Sequence, residues 1–184
     1  MSVRTALTDI QLPQSKSIRL RFVEESDADF ILSLRLDSKY NKYLSPVSRD
    51  IDKQKEWIRA YKKLESDGSE YYFIIERHDG IRCGTVRMYD FKDNSFSWGS
   101  WILNEDKPRT AALETALLIY KAGFEILGFD RSHFEVNRNN TRVISFHSRL
   151  GAEKVSEDNE NFYFIFTSET YQKCSGEFHY LLEK

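Results

Sequence analysis

The residues best placed to do chemistry form one short run, Lys107-Pro108-Arg109-Thr110-Ala111-Ala112, where two cations flank a proline at the head of an apolar stretch. A helix start leaves four backbone N–H groups without partners and carries the positive end of the helix dipole, so it can hold a phosphate. Lys107 and Arg109 would add charge at that end. The same residues also suit a plain core helix with a basic first turn. A second set is Tyr40 and Tyr43, in the loop Ser38–Ser48. Their flat rings with hydroxyl tips suit stacking on a ring-shaped ligand or packing against the core. His78, His133, His147 and His179 show no ligand spacing, so no metal is expected. Cys83 and Cys174 fit no CxxC pattern, which suggests a reduced, cytoplasmic chain; spacing alone leaves a single bridge open.

The elements that must position these residues follow from hydrophobic periodicity. Phe96–Leu103 is a short aromatic strand, and Asn104–Lys107 a polar turn after it. Leu113, Ala116, Leu117, Tyr120, Phe124 and Leu127 recur at helical spacing from Pro108 to Leu127. Pro108 suits the first helical position and Gly128 a stop just beyond the end. Upstream, Ser17–Val23 alternates as a strand, Ser26-Asp27 caps a helix, and Asp50–Leu64 reads as a second helix. Ile51, Trp57, Ile58, Tyr61 and Leu64 lie close to one face of that helix. Tyr71–Arg77 and Ile81–Phe91 form a hairpin across Asp79-Gly80. Downstream come a strand at Ser132–Val136, a helix at Thr141–Leu150 closed by Gly151, one or two late strands around Val155 and Phe162–Phe166, and a last helix from Thr167 through Leu182. This order specifies one α+β domain, residues 18–184, around a mixed, largely antiparallel sheet flanked by helices, with residues 1–17 as a polar tail.

Composition narrows the function classes. The chain has 184 residues, 40% hydrophobic and 30% charged, enough for one well-buried domain. A net charge of −2 offers no basic field for nucleic acid, and no apolar run approaches the roughly 18 residues of a membrane helix.

Two segments carry a resemblance. Val136-Asn137-Arg138-Asn139-Asn140-Thr141-Arg142-Val143-Ile144-Ser145-Phe146-His147-Ser148-Arg149-Leu150-Gly151-Ala152 is similar to the segment of the GNAT superfamily of acyl-CoA-dependent N-acetyltransferases that carries an asparagine, a tyrosine or histidine and a closing glycine. Asn140, His147 and Gly151 fall on those positions. Arg109–Glu114 aligns with the family's pyrophosphate loop, but Glu114 stands where glycine or alanine is expected, and its carboxylate would repel phosphate unless it turns away. The resemblance spans roughly Ile18 to Phe166 and is nearest to the branch with ribosomal-protein N-terminal and nucleotide-amino-sugar acetyltransferases.

This resemblance implies an α+β acetyltransferase with acetyl-CoA as co-substrate. Trp101, Ile102, Leu103, Lys107, Arg109, Thr110, Ala111, Ala112 and Asn140 would hold the cofactor, between the Trp98–Leu103 and Ser132–Val136 strands. Tyr40, Tyr43 and Trp98 would line the acceptor pocket. A protonated amine has no lone pair, so attack on a thioester needs a base and then an acid for the thiolate. Glu135 lies on the right strand to be the base, with Asp90 and Glu76 as fallbacks. His147, with a reference pKa of about 6.5, is the acid. Attack would be direct, with no acyl-enzyme at Cys83. The expected acceptor is the primary amine of a nucleotide-linked amino sugar. A protein N-terminus is the second reading, and a non-catalytic binding module with the same fold the third. A homodimer is compatible with all three.

Overall fold

Seven strands form one sheet in the order β1-β2-β3-β4-β5-β7-β6 in the computed structural model, which describes residues 6–182. The strands are β1 (Ile18–Phe22), β2 (Tyr71–Arg77), β3 (Arg82–Lys92), β4 (Ser95–Leu103), β5 (Arg131–Asn137), β6 (Glu153–Glu157) and β7 (Asn161–Thr167). The helices are α1 (Ala28–Leu36), α2 (Ile51–Ser66), α3 (Ala111–Tyr120), α4 (Thr141–Leu150), α5 (Ser168–Glu177) and α6 (His179–Leu182). Every neighbouring pair of strands is antiparallel except β4 and β5. That parallel pair is in register only at Ser95–Arg131 and Phe96–Ser132. Beyond Phe96 the two strands part, and the sheet opens as a wedge.

β2 shows why the sheet is covered on both sides. Tyr71, Phe73 and Ile75 belong to the larger apolar cluster, shared with α3, β5 and β7. Tyr72 and Ile74, on the opposite face, pack with Ile31 of α1 and Ile58 and Tyr61 of α2. A strand buried on both faces reads as a continuous apolar run, as this one does. Each such side chain contributes about 1.5–3 kcal/mol through burial.

Three expectations change. The segment before β1 is docked rather than a free tail. Leu7 is wholly buried and its N–H donates to Tyr71 Oη at 3.1 Å, while Lys16 N–H donates to the Leu181 carbonyl at 2.8 Å. Residues 1–5 lie outside the described chain. The central helix starts at Ala111, three residues after Pro108, because Pro108–Thr110 form a turn in which Ala111 N–H donates to the Pro108 carbonyl at 3.1 Å. From Glu114 to Tyr120 α3 is buried on every side, so it is a core helix and has no solvent stripe. It then widens into a π turn over Lys121–Ile126. There the ring of Phe96 occupies the place a Cβ on Gly123 would take, at 2.2 Å. On α2, Ile58 and Tyr61 are buried, but Ile51, Trp57 and Leu64 are exposed.

The α4 boundaries agree with the sequence. Its residue before the first turn is Asn140, and Gly151 ends it in the left-handed region at φ 101°.

Candidate active site

Where β4 and β5 diverge, three confluent cavities cross the molecule. The first, about 550 Å3, runs from Leu103 and Lys107 to the start of α4. The second, about 420 Å3, lies at the wedge between Trp98–Trp101 and Phe134–Asn137. Tyr43, Trp101, Asn140 and Val143 line both. A third cavity of about 350 Å3 extends towards α2 and joins the second through Arg35, Ser45 and Ser100. Shared walls join the three into one cleft, in which the first and third cavities are the arms and the second, at the wedge, is the corner between them.

A β-bulge forms the corner. Thr85 pairs with Ile102 and Arg87 with Gly99, so Ser100 and Trp101 together oppose Val86 alone. Ser100 sits at φ 47°, a left-handed conformation that is costly for a residue other than glycine, and its carbonyl accepts from Thr85 Oγ1 at 3.3 Å. This strained residue sits where the second and third cavities meet. Beside it, a Cβ on Gly99 would lie 2.9 Å from Tyr89 Oη, so a side chain there would push the phenol aside.

The first arm suits a long chain with phosphates at one end. Trp101, Val143 and Phe146 supply apolar wall, and Lys42, Lys107 and Arg142 supply cations. Glu105 is paired with Lys39 at 2.9 Å, so its charge is compensated.

A family model described as an acetyltransferase (GNAT) domain matches residues 17–153. The chain belongs to the GNAT acetyltransferases. As such the enzyme transfers an acyl group from acetyl-CoA to an amine. A solved structure of FdhC in its apo form, described as a nucleotide-linked sugar GNAT, is 50% identical, with a TM-score of 0.88 over 94% of this chain and 99% of that one. A spermidine N-acetyltransferase from Vibrio cholerae in complex with CoA and spermine shares the fold at 17% identity and a TM-score of 0.73, covering 84% and 98% of the two chains. A GCN5-related N-acetyltransferase from Brucella melitensis does so at 14% and 0.75, covering 94% and 86%. Comparison with curated proteins gave no match.

In the enzyme most of the residues singled out from sequence come together. Trp101, Ile102, Leu103, Lys107, Ala112 and Asn140 line the first arm. Arg109 is exposed on the turn before α3 and Thr110 turns its hydroxyl to Glu114; neither lines these three cavities. Ala111 is wholly buried with its N–H taken by Pro108, so it has nothing to offer a phosphate. Glu114 is turned inward. Ser15 Oγ and Ser17 N–H donate to its Oε2 at 2.5 and 2.8 Å, and Thr110 Oγ1 to its Oε1 at 2.5 Å. The carboxylate thus turns away from solvent at the helix start and is held by three neutral donors.

Glu135 is exposed on β5 and lines the corner cavity, as a base requires. His147 also lines it, yet burial among Trp98, Phe134 and Phe146 pushes its pKa down to about 3, and Nδ1 has no hydrogen-bond partner. The imidazolium expected from its reference pKa is therefore absent near neutral pH. Trp98 is buried at the wedge, against Tyr120 and His147. Tyr43 spans the corner and the first arm, its hydroxyl donating to the Asn139 carbonyl at 2.9 Å. Tyr40 lies in the first arm only, on the cofactor side. Both fallback bases are committed elsewhere. Asp90 is paired with Lys92 and His133, and the buried Glu76 with Arg19 and Arg21. Burial pushes the Cys83 thiol up to about 11, which disfavours an acyl-enzyme there.

Sequence reading missed the third arm, with Arg35, Trp57 and Arg87. Arg35 and Trp57 sit in ordinary amphipathic helices, and Trp57 shares its exposure with Ile51 and Leu64, so nothing in the apolar pattern of α2 sets it apart.

Proposed function

We propose that the enzyme acetylates the primary amine of an amino sugar carried on a nucleotide, by direct attack on the thioester carbonyl. The observation that carries this reading is the charge of the third arm. Arg35 and Lys53 line it without an ion-pair partner among the described residues, Arg87 is neutralised by Glu70, and no carboxylate lines the arm, in a chain whose net charge is −2. Such an arm attracts a phosphate-bearing amine and repels a polyamine. The 50% identity to a nucleotide-linked sugar GNAT supports the same choice.

In this reading the first arm takes acetyl-CoA, with the pantetheine against Trp101–Leu103 and the phosphates near Lys107 and Arg142. The acceptor enters from the third arm and presents its amine at the corner. There Glu135 takes the ammonium proton, directly or through a water, and frees the lone pair. The amine attacks the carbonyl carbon, the C–S bond breaks, and CoA leaves as the thiolate; the proton the nitrogen sheds as the amide forms passes to that thiolate, directly or through water. His147 stays neutral and shapes the wall of the corner.

The test is a panel of amines with acetyl-CoA: UDP- and dTDP-linked amino sugars, the free amino sugars, spermidine and peptide N-termini. The reading expects kcat/KM at least a hundredfold higher for a nucleotide-linked amine. A preference for spermidine or a peptide would overturn it.

A further inference from the structure

We infer that the third arm is a diphosphate subsite, in which Arg35 and Lys53 grip the acceptor's pyrophosphate and so set its specificity. The inference rests on the nucleotide-linked acceptor proposed above.

Arg35 lies in the last turn of α1, where a cation complements the helix dipole. That role leaves its donors unexplained. Nη2 donates to the Ser45 carbonyl and hydroxyl, at 2.8 and 3.0 Å. The buried Nε and the neighbouring Tyr72 hydroxyl both lack a hydrogen-bond partner, so the arm has two unmet polar groups side by side. Among the described residues no carboxylate forms an ion pair with Arg35 or Lys53. Buried donors on a charged group are costly without a partner, and a phosphate oxygen is the acceptor whose charge and geometry match a guanidinium.

Arg87 differs. Its guanidinium is paired with Glu70 and lies over the rings of Trp57 and Tyr89, at 5.3 and 5.4 Å. It forms a neutralised wall, which leaves Arg35 and Lys53 as the two uncompensated charges. Ser45 and Ser48 add hydroxyls on the same side. Two cations match the two phosphates of a nucleoside diphosphate better than a single phosphate. Arg35 also lines the corner cavity, so a pyrophosphate held there places the attached sugar beside Glu135.

The experiment uses uridine and thymidine diphosphates as inhibitors, with the wild type, Lys53→Glu and the charge-preserving Arg35→Lys. The inference expects inhibition competitive with the nucleotide-linked acceptor and at least tenfold weaker for the monophosphates. It also expects the acceptor KM to rise tenfold or more in each variant while the acetyl-CoA KM stays constant. Inhibition competitive with acetyl-CoA instead would overturn it, as would an unchanged acceptor KM in both variants. If the diphosphates bind in a Lys53-dependent way but no nucleotide-linked amine is acetylated, the proposed reaction falls and the subsite stands.

Discussion

The Glu114 carboxylate and the Ser15 hydroxyl, 99 positions apart in sequence, meet at 2.5 Å inside the protein. With Ser17 N–H and Thr110 Oγ1 they form a four-member knot without a cation. It ties the segment before β1 to the first turn of α3, beside the cofactor arm. Where relatives are expected to carry a small residue, this chain carries a buried strut.

Removing the strut should weaken the protein. Glu114→Ala leaves Ser17 N–H and Thr110 Oγ1 without their acceptor, while Ser15 Oγ can turn to the Ile18 carbonyl at 3.1 Å, and we expect a loss of about 2–3 kcal/mol by denaturant unfolding. Glu114→Gly adds roughly 1 kcal/mol of helix cost. Acetyl-CoA affinity, measured by calorimetry, should fall in both as the turn before α3 loosens. Tighter binding in Glu114→Gly would contradict the inward carboxylate.

Glu135→Gln tests the base. It keeps the shape of an exposed side chain, so the melting temperature should hold. The loss in kcat/KM should be on the order of a hundredfold or more. A variant with near wild-type turnover would move the base elsewhere.

How much of this was legible in sequence depended on how local the cause was. α4 could be read to the residue, because its apolar spacing and the terminal Gly151 are local signals. The wedge was foreseen only through resemblance, since no spacing in Phe96–Leu103 reveals where pairing with β5 stops. The knot at Glu114 could not be read at all. Ser15 and Ser17 look like tail residues until a carboxylate 99 and 97 positions away needs their protons. The acidic role of His147 failed for a related reason. Its pKa is set by the rings of Trp98, Phe134 and Phe146, two of which belong to other elements.

His147 should also govern stability in acid. Its pKa is lowered by burial to about 3, below the roughly 6.5 of an unfolded chain. The unfolded state therefore binds more protons between those values, and stability falls as pH drops from about 6.5 towards 3. The contribution is on the order of a few kcal/mol. His147→Phe should flatten that part of the stability profile, with kcat at pH 7.5 within a few-fold of wild type. An unaltered acid profile would show that the imidazole titrates with solvent.

Tyr43 separates a roof from a wall. Tyr43→Phe loses one hydrogen bond to Asn139, worth about 1 kcal/mol, and should leave both KM values nearly unchanged. Tyr43→Ala opens the ceiling shared by the cofactor arm and the corner, so the KM for acetyl-CoA and for the acceptor should rise together. A rise for the acceptor alone would place Tyr43 on the acceptor side only.

The parting of β4 from β5 after Phe96 has a consequence for how this site can evolve. From Trp98 to Leu103, β4 is laddered to β3 on one margin only, and its other margin fronts the cleft. The peptide groups along that margin are the same whatever side chains they carry. In the proposed reading an amide-bearing chain is recognised there by the main chain, and drift at positions 101–103 would leave it readable. Acceptor choice would have no such insulation, because the roles proposed for Arg35 and Lys53 lie in their side chains. New substrates should therefore arise by changes in α1 and α2, on a donor site that stays constant.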